Sequence, residues 1–329
     1  MKDDGSNRTT SDSWSLFLTV RFASGVFLGV LAIVTVVANV ALLATLWNRR
    51  NRPSKTPTMF FVLGIAVADL ITGLVIEPAF SICFMSSNLS TCQMEIIEII
   101  QFLPGLFMNS SFLLVLLLSW SHFLAIAHPH FYKRSVTKRR VAGLVVGVFL
   151  YTTSFSFLQF SSIPKRVLLV IDVFLHATFI PFLLMMSYIL MLVSLCKHMR
   201  SRDAVLNRRR CADVVSVESE GSINIQRLPN SLDSVERQFL WMNLSLTVVL
   251  LICTLPSIVI MHVALKTTDA TFEQQTNLAV AQKIADDILL TKFALDPFIF
   301  TWNFQKMEKM WKSMLSRSAS PETTRRSQF

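Results

Sequence analysis

The sequence predicts an all-α membrane protein: a bundle of seven transmembrane helices followed by a cytoplasmic amphipathic eighth helix. Of the 329 residues, 52% are hydrophobic, and the mean hydropathy is +0.52. That composition is too apolar for an ordinary soluble domain. Apolar runs long enough to cross a bilayer, which takes about 20 residues at 1.5 Å each, recur seven times. We expect these spans at residues 22–47, 58–83, 96–122, 140–161, 166–196, 237–264 and 279–303.

The basic residues predict the orientation of the chain. The formal net charge is +10, and the Lys and Arg residues gather in alternate segments between the spans. These basic segments are 49–55, 132–140, the loop 197–236 and the residues after 303. Because such segments stay in the cytoplasm, we expect residues 1–21 to be extracellular and the C-terminus to be cytoplasmic, in the plasma membrane. A basic face against the lipid bilayer explains the charge without a nucleic-acid partner.

The last span, within a membrane domain of residues 22–303, carries charges where most spans carry none. They are Asp286, Asp287, Lys292 and Asp296. Charges at such depth cost several kcal/mol unless they are paired or hydrated, so these residues are functional candidates. Residues 304–315 place Met, Trp and Leu on one helical face and lysines beside it, which predicts a helix on the membrane surface. The tail, residues 316–329, is rich in Ser, Thr and Arg.

Three motifs resemble those of rhodopsin-like (class A) G-protein-coupled receptors. The last span contains Asp296-Pro297 followed by Phe300, where the family has Asn or Asp, Pro and then Tyr. The run LGIAVADL ends at Asp69-Leu70, and Asn39 lies in an Ala-Asn-Val triplet that is similar to the family's Gly-Asn-Val. The resemblance covers residues 22–315. It implies a receptor, not an enzyme, which binds an extracellular ligand and signals to a heterotrimeric G protein, with arrestin and a receptor kinase as further partners.

The resemblance also implies a polar core among the spans. The family binds a sodium ion there, and the matching positions are Asp69, Ser111 and Asp296. Lys292 lies one helical turn before Asp296 and therefore on the same face. One hypothesis is that its ammonium group takes the place of the sodium ion; the alternative is a lysine that faces a watery cavity without a switch role. No other cofactor is expected.

The third span departs from the family at its cytoplasmic end. Ser121, His122 and Phe123 stand where the family has Asp-Arg-Tyr. Histidine is mostly neutral at pH 7 and can replace the arginine only partly. Glu236 matches the acidic partner of that arginine, and it either contacts His122 or is a solvated charge at a helix start.

The sixth span departs from the family at one position, and one loop indicates which group of receptors the sequence resembles most. Cys253, Thr254 and Pro256 align with the family's Cys-Trp-x-Pro, with Thr in place of Trp; the proline predicts a kink. The link at residues 162–165 is short and lacks cysteine, which excludes the family's usual disulfide. The closest resemblance is therefore to melanocortin-type receptors and their adenosine- and lipid-binding relatives. Cys83 and Cys92, near the outer ends of two spans, either pair locally or are free thiols.

Carboxylate and imidazole groups in the outer halves of the spans predict a ligand pocket of negative potential, suited to a basic peptide or a cationic small molecule. The melanocortin acidic trio and the aminergic aspartate are absent, since Pro104 stands at the latter position. Asn7 lies in an outward glycosylation sequon, whereas the sequons at Asn109 and Asn243 lie inside spans. The pocket candidates are Glu98, Gln101, Asp172, His176, Asp286 and Asp287.

Three other functions stay open. Loss of the Asp-Arg-Tyr motif favours a non-coupling decoy or partner receptor of the same fold. Intramembrane charges also suit an ion-coupled transporter. A photoreceptor is disfavoured, because opsins place their retinal-binding lysine seven residues before the proline, where this chain has Leu290. No Cys/His spacing suggests a metal site.

Overall fold

The computed structural model describes the backbone of residues 4–50, 57–86, 96–216, 231–267 and 271–318. Within these ranges the side chains are described for residues 12–48, 57–86, 102–197, 200, 240–267 and 271–302. The statements below concern these residues.

Seven long helices form the fold. Six of the predicted spans lie within one helix each, whereas the fourth, 140–161, extends four residues beyond the end of its helix at Phe157. The first helix is Asp4–Arg50, the second Thr58–Met85, the third Ile96–Ala127, the fourth Lys138–Phe157, the fifth 165–216, the sixth Ser231–Lys266 and the seventh Phe272–Ser318. A short helix, Pro129–Ser135, joins the third to the fourth. The described residues contain no strand. Because a bilayer offers the backbone no hydrogen-bond partners, an all-helical chain is what spans of this length require. The predicted fold class is confirmed.

The seventh helix is less apolar than the other six. By length and hydropathy, six helices of the described chain can cross a membrane, and the seventh is not among them. Five charged residues lower its mean hydropathy: Lys283, Asp286, Asp287, Lys292 and Asp296. It is nevertheless part of the bundle, since it packs along the first and sixth helices. Its buried side chains include Phe293 and Phe300, both of which belong to the hydrophobic core.

The third helix lies at the centre of the bundle. It contacts the second, fourth and fifth helices, and its Leu114 and Leu118 are fully buried.

We call the end of the bundle that carries residues 132–140 the basic end and the opposite end the neutral end. At Gly73 the second helix approaches the first so closely that a Cβ atom would lie 2.8 Å from Cγ2 of Thr35. Glycine is required there because a larger residue would push the two helices apart.

Two helices contain a wide turn. π-helical turns occupy Thr72–Ile76 in the second helix and Val173–Phe179 in the fifth. Such turns change the direction of the side chains that follow, and they are frequent at functional sites. The first wide turn immediately precedes Glu77, and the second contains His176.

The segments that lead out of the bundle at the basic end are partly helical. The fifth helix continues to Ser216 and the sixth begins at Ser231, while residues 217–230 of the predicted loop lie outside the described residues. The predicted eighth helix, residues 304–315, is helical and follows the seventh without interruption. Its side chains, on which the predicted amphipathic face depends, lie outside the described residues. The domain bounds assigned from the sequence stay a prediction.

At the neutral end, Cys83 is disulfide-bonded, whereas Cys196 and Cys253 are free. Cys92, the predicted partner of Cys83, lies outside the described residues, so this pairing stays a prediction.

Candidate functional site

A buried ion cluster lies in the middle of the bundle, where the second, third and seventh helices meet. Lys292 is 1% exposed, and its Nζ lies 2.8 Å from Oδ2 of Asp296, one turn further along the seventh helix. The same ammonium group lies 4.0 Å from Oδ1 of Asp69 on the second helix. The helical period brings Lys292 and Asp296 to one face, and packing against the second helix adds Asp69.

Ser111 of the third helix connects the lysine to Asp69. Lys292 Nζ donates a hydrogen bond of 2.7 Å to Ser111 Oγ, and that hydroxyl donates one of 2.6 Å to Asp69 Oδ1. Four of the five residues predicted for the polar core are thus in one contiguous network of ion pairs and hydrogen bonds. Because all four side chains are buried, their mutual attraction is little screened by water.

Asn39, the fifth predicted member, fixes the first helix against the seventh. Its Nδ2 donates to the carbonyl oxygen of Phe293, at 3.1 Å, and to that of Thr35. Asn39 therefore holds the backbone next to Lys292, and no described hydrogen bond joins it to the cluster itself. The aromatic rings of Phe293 and Phe112 also contact the ammonium group, with centroids 4.5 and 5.2 Å from Nζ.

The cluster contains two carboxylates and one ammonium group. The lysine occupies the point to which Ser111 and both aspartates direct oxygen atoms, and Asp69 Oδ2 has no hydrogen-bond partner among the described residues. Chemically, this arrangement is a cation site whose cation belongs to the chain. Among the described residues, no group of three His, Cys, Asp or Glu side chains could hold a metal ion.

At the basic end, the third helix buries the residues that stand for Asp-Arg-Tyr. His122 and Ser121 are 1% and 5% exposed, and Phe123 packs edge-on against Trp120. His122 contacts Asn243 of the sixth helix. Glu236, the other predicted partner, has a side chain outside the described residues.

Asn243 is the centre of a second polar network, which sequence reasoning missed. Its Nδ2 donates to Ser119 Oγ at 2.8 Å and reaches Met191 Sδ at 3.7 Å, and Ser119 shares a hydrogen bond with Ser187. This network ties the third, fifth and sixth helices together near His122. The sequence did indicate such a network, because a polar amide inside a span, as at Asn243, needs partners from neighbouring helices.

The sixth-helix motif is buried around the proline. Cys253 and Thr254 are buried, and the hydroxyl of Thr254 donates to the carbonyl oxygen of Leu250 within the same helix. Pro256 and Pro297 lie inside their helices, and the kink predicted at Pro256 stays a prediction. Phe300 is fully buried in the core.

Asp286 and Asp287 face different helices. Asp286 Oδ1 accepts hydrogen bonds from Gln282 at 2.6 Å and from Ser257 of the sixth helix at 3.2 Å. Asp287 Oδ2 accepts one of 2.6 Å from Ser24 of the first helix. Both carboxylates therefore have partners within the bundle and face different neighbouring helices, and the predicted pocket of negative potential stays a prediction.

Two cations near these aspartates were also missed. Arg21 of the first helix is buried and donates to the carbonyl oxygens of Cys83, at 2.6 Å, and Ser86. Lys283 lies with its Nζ 3.4 Å from the ring centroid of Phe84 and is close enough to Asp286 to attract it electrostatically. These cations offset the charge of the aspartates, so the neutral end near the first, second and seventh helices is nearly balanced.

The remaining predicted pair, Asp172 and His176, lies where the third, fourth and fifth helices meet. Asp172 Oδ1 lies 2.7 Å from His176 Nδ1 and accepts a hydrogen bond of 2.9 Å from Asn109. His176 Nε2 lies 3.1 Å from the hydroxyl of Tyr151. His176 is 2% exposed and Asp172 36%, so the carboxylate is partly accessible while its histidine partner is buried.

Glu77 is a buried carboxylate that forms no salt bridge among the described residues, which the sequence did not indicate. It is fully buried, its Oε1 accepts a hydrogen bond of 3.2 Å from Thr35, and its Oε2 has no partner among the described residues. The other predicted site residues, Glu98, Gln101 and Asn7, have side chains outside the described residues.

Comparisons with known proteins agree with the fold and the motifs. The sequence model of the family "7 transmembrane receptor (rhodopsin family)" matches residues 38–167. Dopamine receptor 2 of Drosophila melanogaster is 31% identical over 108 residues, which are 33% of this chain and 20% of that receptor. This chain therefore matches only about a fifth of the length of that relative.

The three-dimensional likeness covers much more of the chain. The crystal structure of squid rhodopsin superimposes with a TM-score of 0.68 over 92% of this chain and 87% of the other, at 13% sequence identity. At that identity the likeness shows the fold alone. With the matched family model and the motifs at Asp69 and Asp296, it shows a chain that has the fold of rhodopsin and whose residues 38–167 are similar to the rhodopsin family of 7 transmembrane receptors.

Proposed function

We propose that this protein is a ligand-activated receptor whose polar core carries its own cation, Lys292, in place of a sodium ion. The observation that supports this most directly is the position of Lys292 Nζ, 2.7 Å from Ser111 Oγ and 2.8 Å from Asp296 Oδ2. An ammonium group at that point excludes a metal cation, because two positive charges would share the same oxygen atoms. The basic loops support an orientation with the N-terminus outside the plasma membrane and the basic end in the cytoplasm.

A tethered cation changes how such a receptor is controlled. Sodium leaves or enters a site according to its concentration, whereas the lysine moves only when the seventh helix moves relative to the second and third. Activation would then exchange the contacts of Lys292 among Asp69, Ser111 and Asp296, as part of a two-state change in helix packing. The receptor is accordingly expected to respond to its ligand independently of sodium.

Sodium is expected to leave the thermal stability of the wild-type protein unchanged and to stabilise Lys292→Met. Methionine removes the ammonium group but keeps the length of the side chain, which leaves three oxygen-bearing residues around a vacated cation position. A sodium ion at ten times its Kd would then add about 1.4 kcal/mol. The measurement is a melting curve of purified protein in sodium chloride and in choline chloride at equal ionic strength.

The comparison of the two salts controls for general screening of charge. Lys165→Met, which removes an exposed lysine outside the cluster, should show no selective response to sodium. Selective stabilisation of the wild type by sodium would contradict the proposal, since it would mean that the ion binds while Lys292 is present.

For the ligand, a cationic group is the best-supported chemistry. Asp172 is half-exposed and has an oxygen, Oδ2, outside its bonds to Asn109 and His176. The matched relative is a dopamine receptor by name, which also suits an amine. A monoamine would have to bind in another way here, because Pro104 replaces the aspartate that aminergic receptors use. The narrower resemblance to melanocortin-type receptors stays a prediction.

A receptor of this fold that binds ligand without coupling is the second candidate. The observation that favours it is His122, which is buried and contacts Asn243 where the family presents an arginine to the G protein. A neutral, buried imidazole offers a G protein neither the charge nor the length of that arginine. Whether G protein, arrestin and receptor kinase are partners of this protein therefore depends on what His122 can do in place of the arginine.

Basal signalling of the wild type and of His122→Arg, matched for surface expression, separates the two candidates. If the protein couples, the wild type signals above mock-transfected cells and the arginine variant signals as much or more. If only His122→Arg signals, the wild type is a non-coupling receptor. His128→Arg, a change of the same kind outside the helix, is the control and should behave as the wild type does.

The geometry disfavours the two remaining alternatives. Lys292 is engaged with Asp296 and Ser111, so its amine is not free for a retinal Schiff base. An ion-coupled transporter would need a hydrated route, whereas Phe293 and Phe112 contact the ammonium group on its apolar side. Retinal binding would appear as visible absorbance of the purified protein, and transport as ion flux in liposomes.

A further inference from the structure

A lipid-facing groove runs between the third and fourth helices and encloses about 650 Å³. Its walls are apolar: Leu113, Leu116 and Leu117 from the third helix, and Leu144 and Val148 from the fourth. The groove is separate from the ion cluster. It meets the pocket candidates only through Tyr151, whose hydroxyl contacts His176.

Two glycines create the groove. Gly143 and Gly147 lie one turn apart on the exposed side of the fourth helix, and a Cβ atom added at either position would have no atom within 4 Å. No neighbouring helix of the bundle therefore requires glycine at these positions. The missing side chains leave a channel along the helix, which an acyl chain or another apolar rod can fill.

The two ends of the groove differ in polarity. Arg140 closes the basic end, where its Nη1 donates 3.2 Å to the carbonyl oxygen of Ser135 and leaves its other guanidinium donors available. Tyr151 lies at the far end. The eleven residue-to-residue steps from Arg140 to Tyr151 span about 16 Å at 1.5 Å each, close to half of the roughly 30 Å hydrocarbon core. The groove is thus as long as one leaflet is thick.

The positive charges at the basic end favour a negatively charged occupant of the groove. The segment around the basic end contains five basic residues and no acidic one: Lys133, Arg134, Lys138, Arg139 and Arg140. An ordinary zwitterionic lipid gains little from such a cluster, whereas an anionic headgroup is attracted by each nearby charge and accepts hydrogen bonds from the guanidinium group. A second copy of the chain would bring a second set of the same positive charges, which opposes association through this face.

We propose that this groove binds an acidic glycerophospholipid of the leaflet at the basic end. One acyl chain lies along Gly143 and Gly147, between the leucines of the third helix and Val148. The phosphate and carboxylate groups of the headgroup meet Arg140. The proposal is independent of whether the receptor couples to a G protein, and only the name of the leaflet, cytoplasmic, rests on the orientation proposed above.

The test measures lipid retention by native mass spectrometry of the full-length receptor, purified in detergent with an equimolar mixture of phosphatidylserine and phosphatidylcholine. The wild type should retain phosphatidylserine in preference to phosphatidylcholine. Arg140→Gln should lower this preference about fivefold, which corresponds to the ~1 kcal/mol of one basic residue at an anionic surface. Arg139→Gln removes the same charge from a residue that does not line the groove and should retain the preference.

A second pair of variants tests the apolar part of the groove. Gly143→Leu with Gly147→Leu should lower retention of both lipids without lowering the melting temperature, because the added atoms point into open space and leucine favours the helix more than glycine does. Val146→Leu, on the exposed surface beside the groove, is the matched control.

Two results would overturn the proposal. An equal loss with Arg139→Gln and Arg140→Gln would show diffuse attraction to the basic surface and no defined site. Loss of receptor dimers in the glycine variants, with phosphatidylserine retention unchanged, would show that a second copy occupies the groove.

Discussion

Lys292→Met is expected to lower the free energy of unfolding by about 3–5 kcal/mol in sodium-free buffer, because it leaves two buried carboxylates without their cation. Asp69 and Asp296 are 0% and 2% exposed, so neither can regain its hydration without opening the bundle. The measurement is the melting temperature in detergent with choline as the cation, together with the amount of receptor at the cell surface.

Removing one of the carboxylates in the same chain should restore most of the loss. Asp296→Asn in the Lys292→Met background keeps the shape of the cluster and leaves Asp69 with its hydrogen bond from Ser111. Lys165→Met is the control for loss of a positive charge, since Lys165 is exposed and lies outside the cluster. A single Lys292→Met variant as stable as the wild type without sodium would show that the lysine does not balance the aspartates, and the proposed role of the cluster would fail with it.

Glu77→Gln is expected to have the opposite effect and to stabilise the protein by about 1–3 kcal/mol. Among the described residues, no salt bridge joins Glu77 to a cation, and one of its oxygens lacks a hydrogen-bond partner. A buried carboxyl group of this kind must either bear an uncompensated charge or take up a proton at neutral pH, and glutamine needs neither. Its amide oxygen still accepts the hydrogen bond from Thr35.

The contrast with Asp69→Asn makes this prediction specific. Asp69 has an ammonium group 4.0 Å away and a hydrogen bond from Ser111, so its replacement should destabilise the protein. Both variants remove one buried negative charge by an isosteric change, and the melting temperatures should move in opposite directions. A loss of stability with Glu77→Gln equal to that with Asp69→Asn would mean that the charge of Glu77 is compensated after all.

The sequence by itself determined the class of the molecule and the places of its helices. Apolar runs near 20 residues separated by basic or neutral segments leave little choice, because the bilayer fixes their length and the backbone must satisfy its hydrogen bonds internally. The pairing of Lys292 with Asp296 was also predictable, since it depends only on the helical period. Helix ends outside the membrane were not, and the first and fifth helices continue well beyond their predicted spans.

The tertiary structure decided which helix each polar side chain meets. Asp286 and Asp287 are neighbours in sequence, yet about 100° separates successive residues around a helix, so one faces the sixth helix and the other the first. From the sequence, Asn109 and Asn243 are only sequons inside spans, because their partners, Asp172 and Ser119, lie on other helices. The reach of Lys292 to Ser111, across 181 positions of sequence, likewise follows from packing that no local pattern contains.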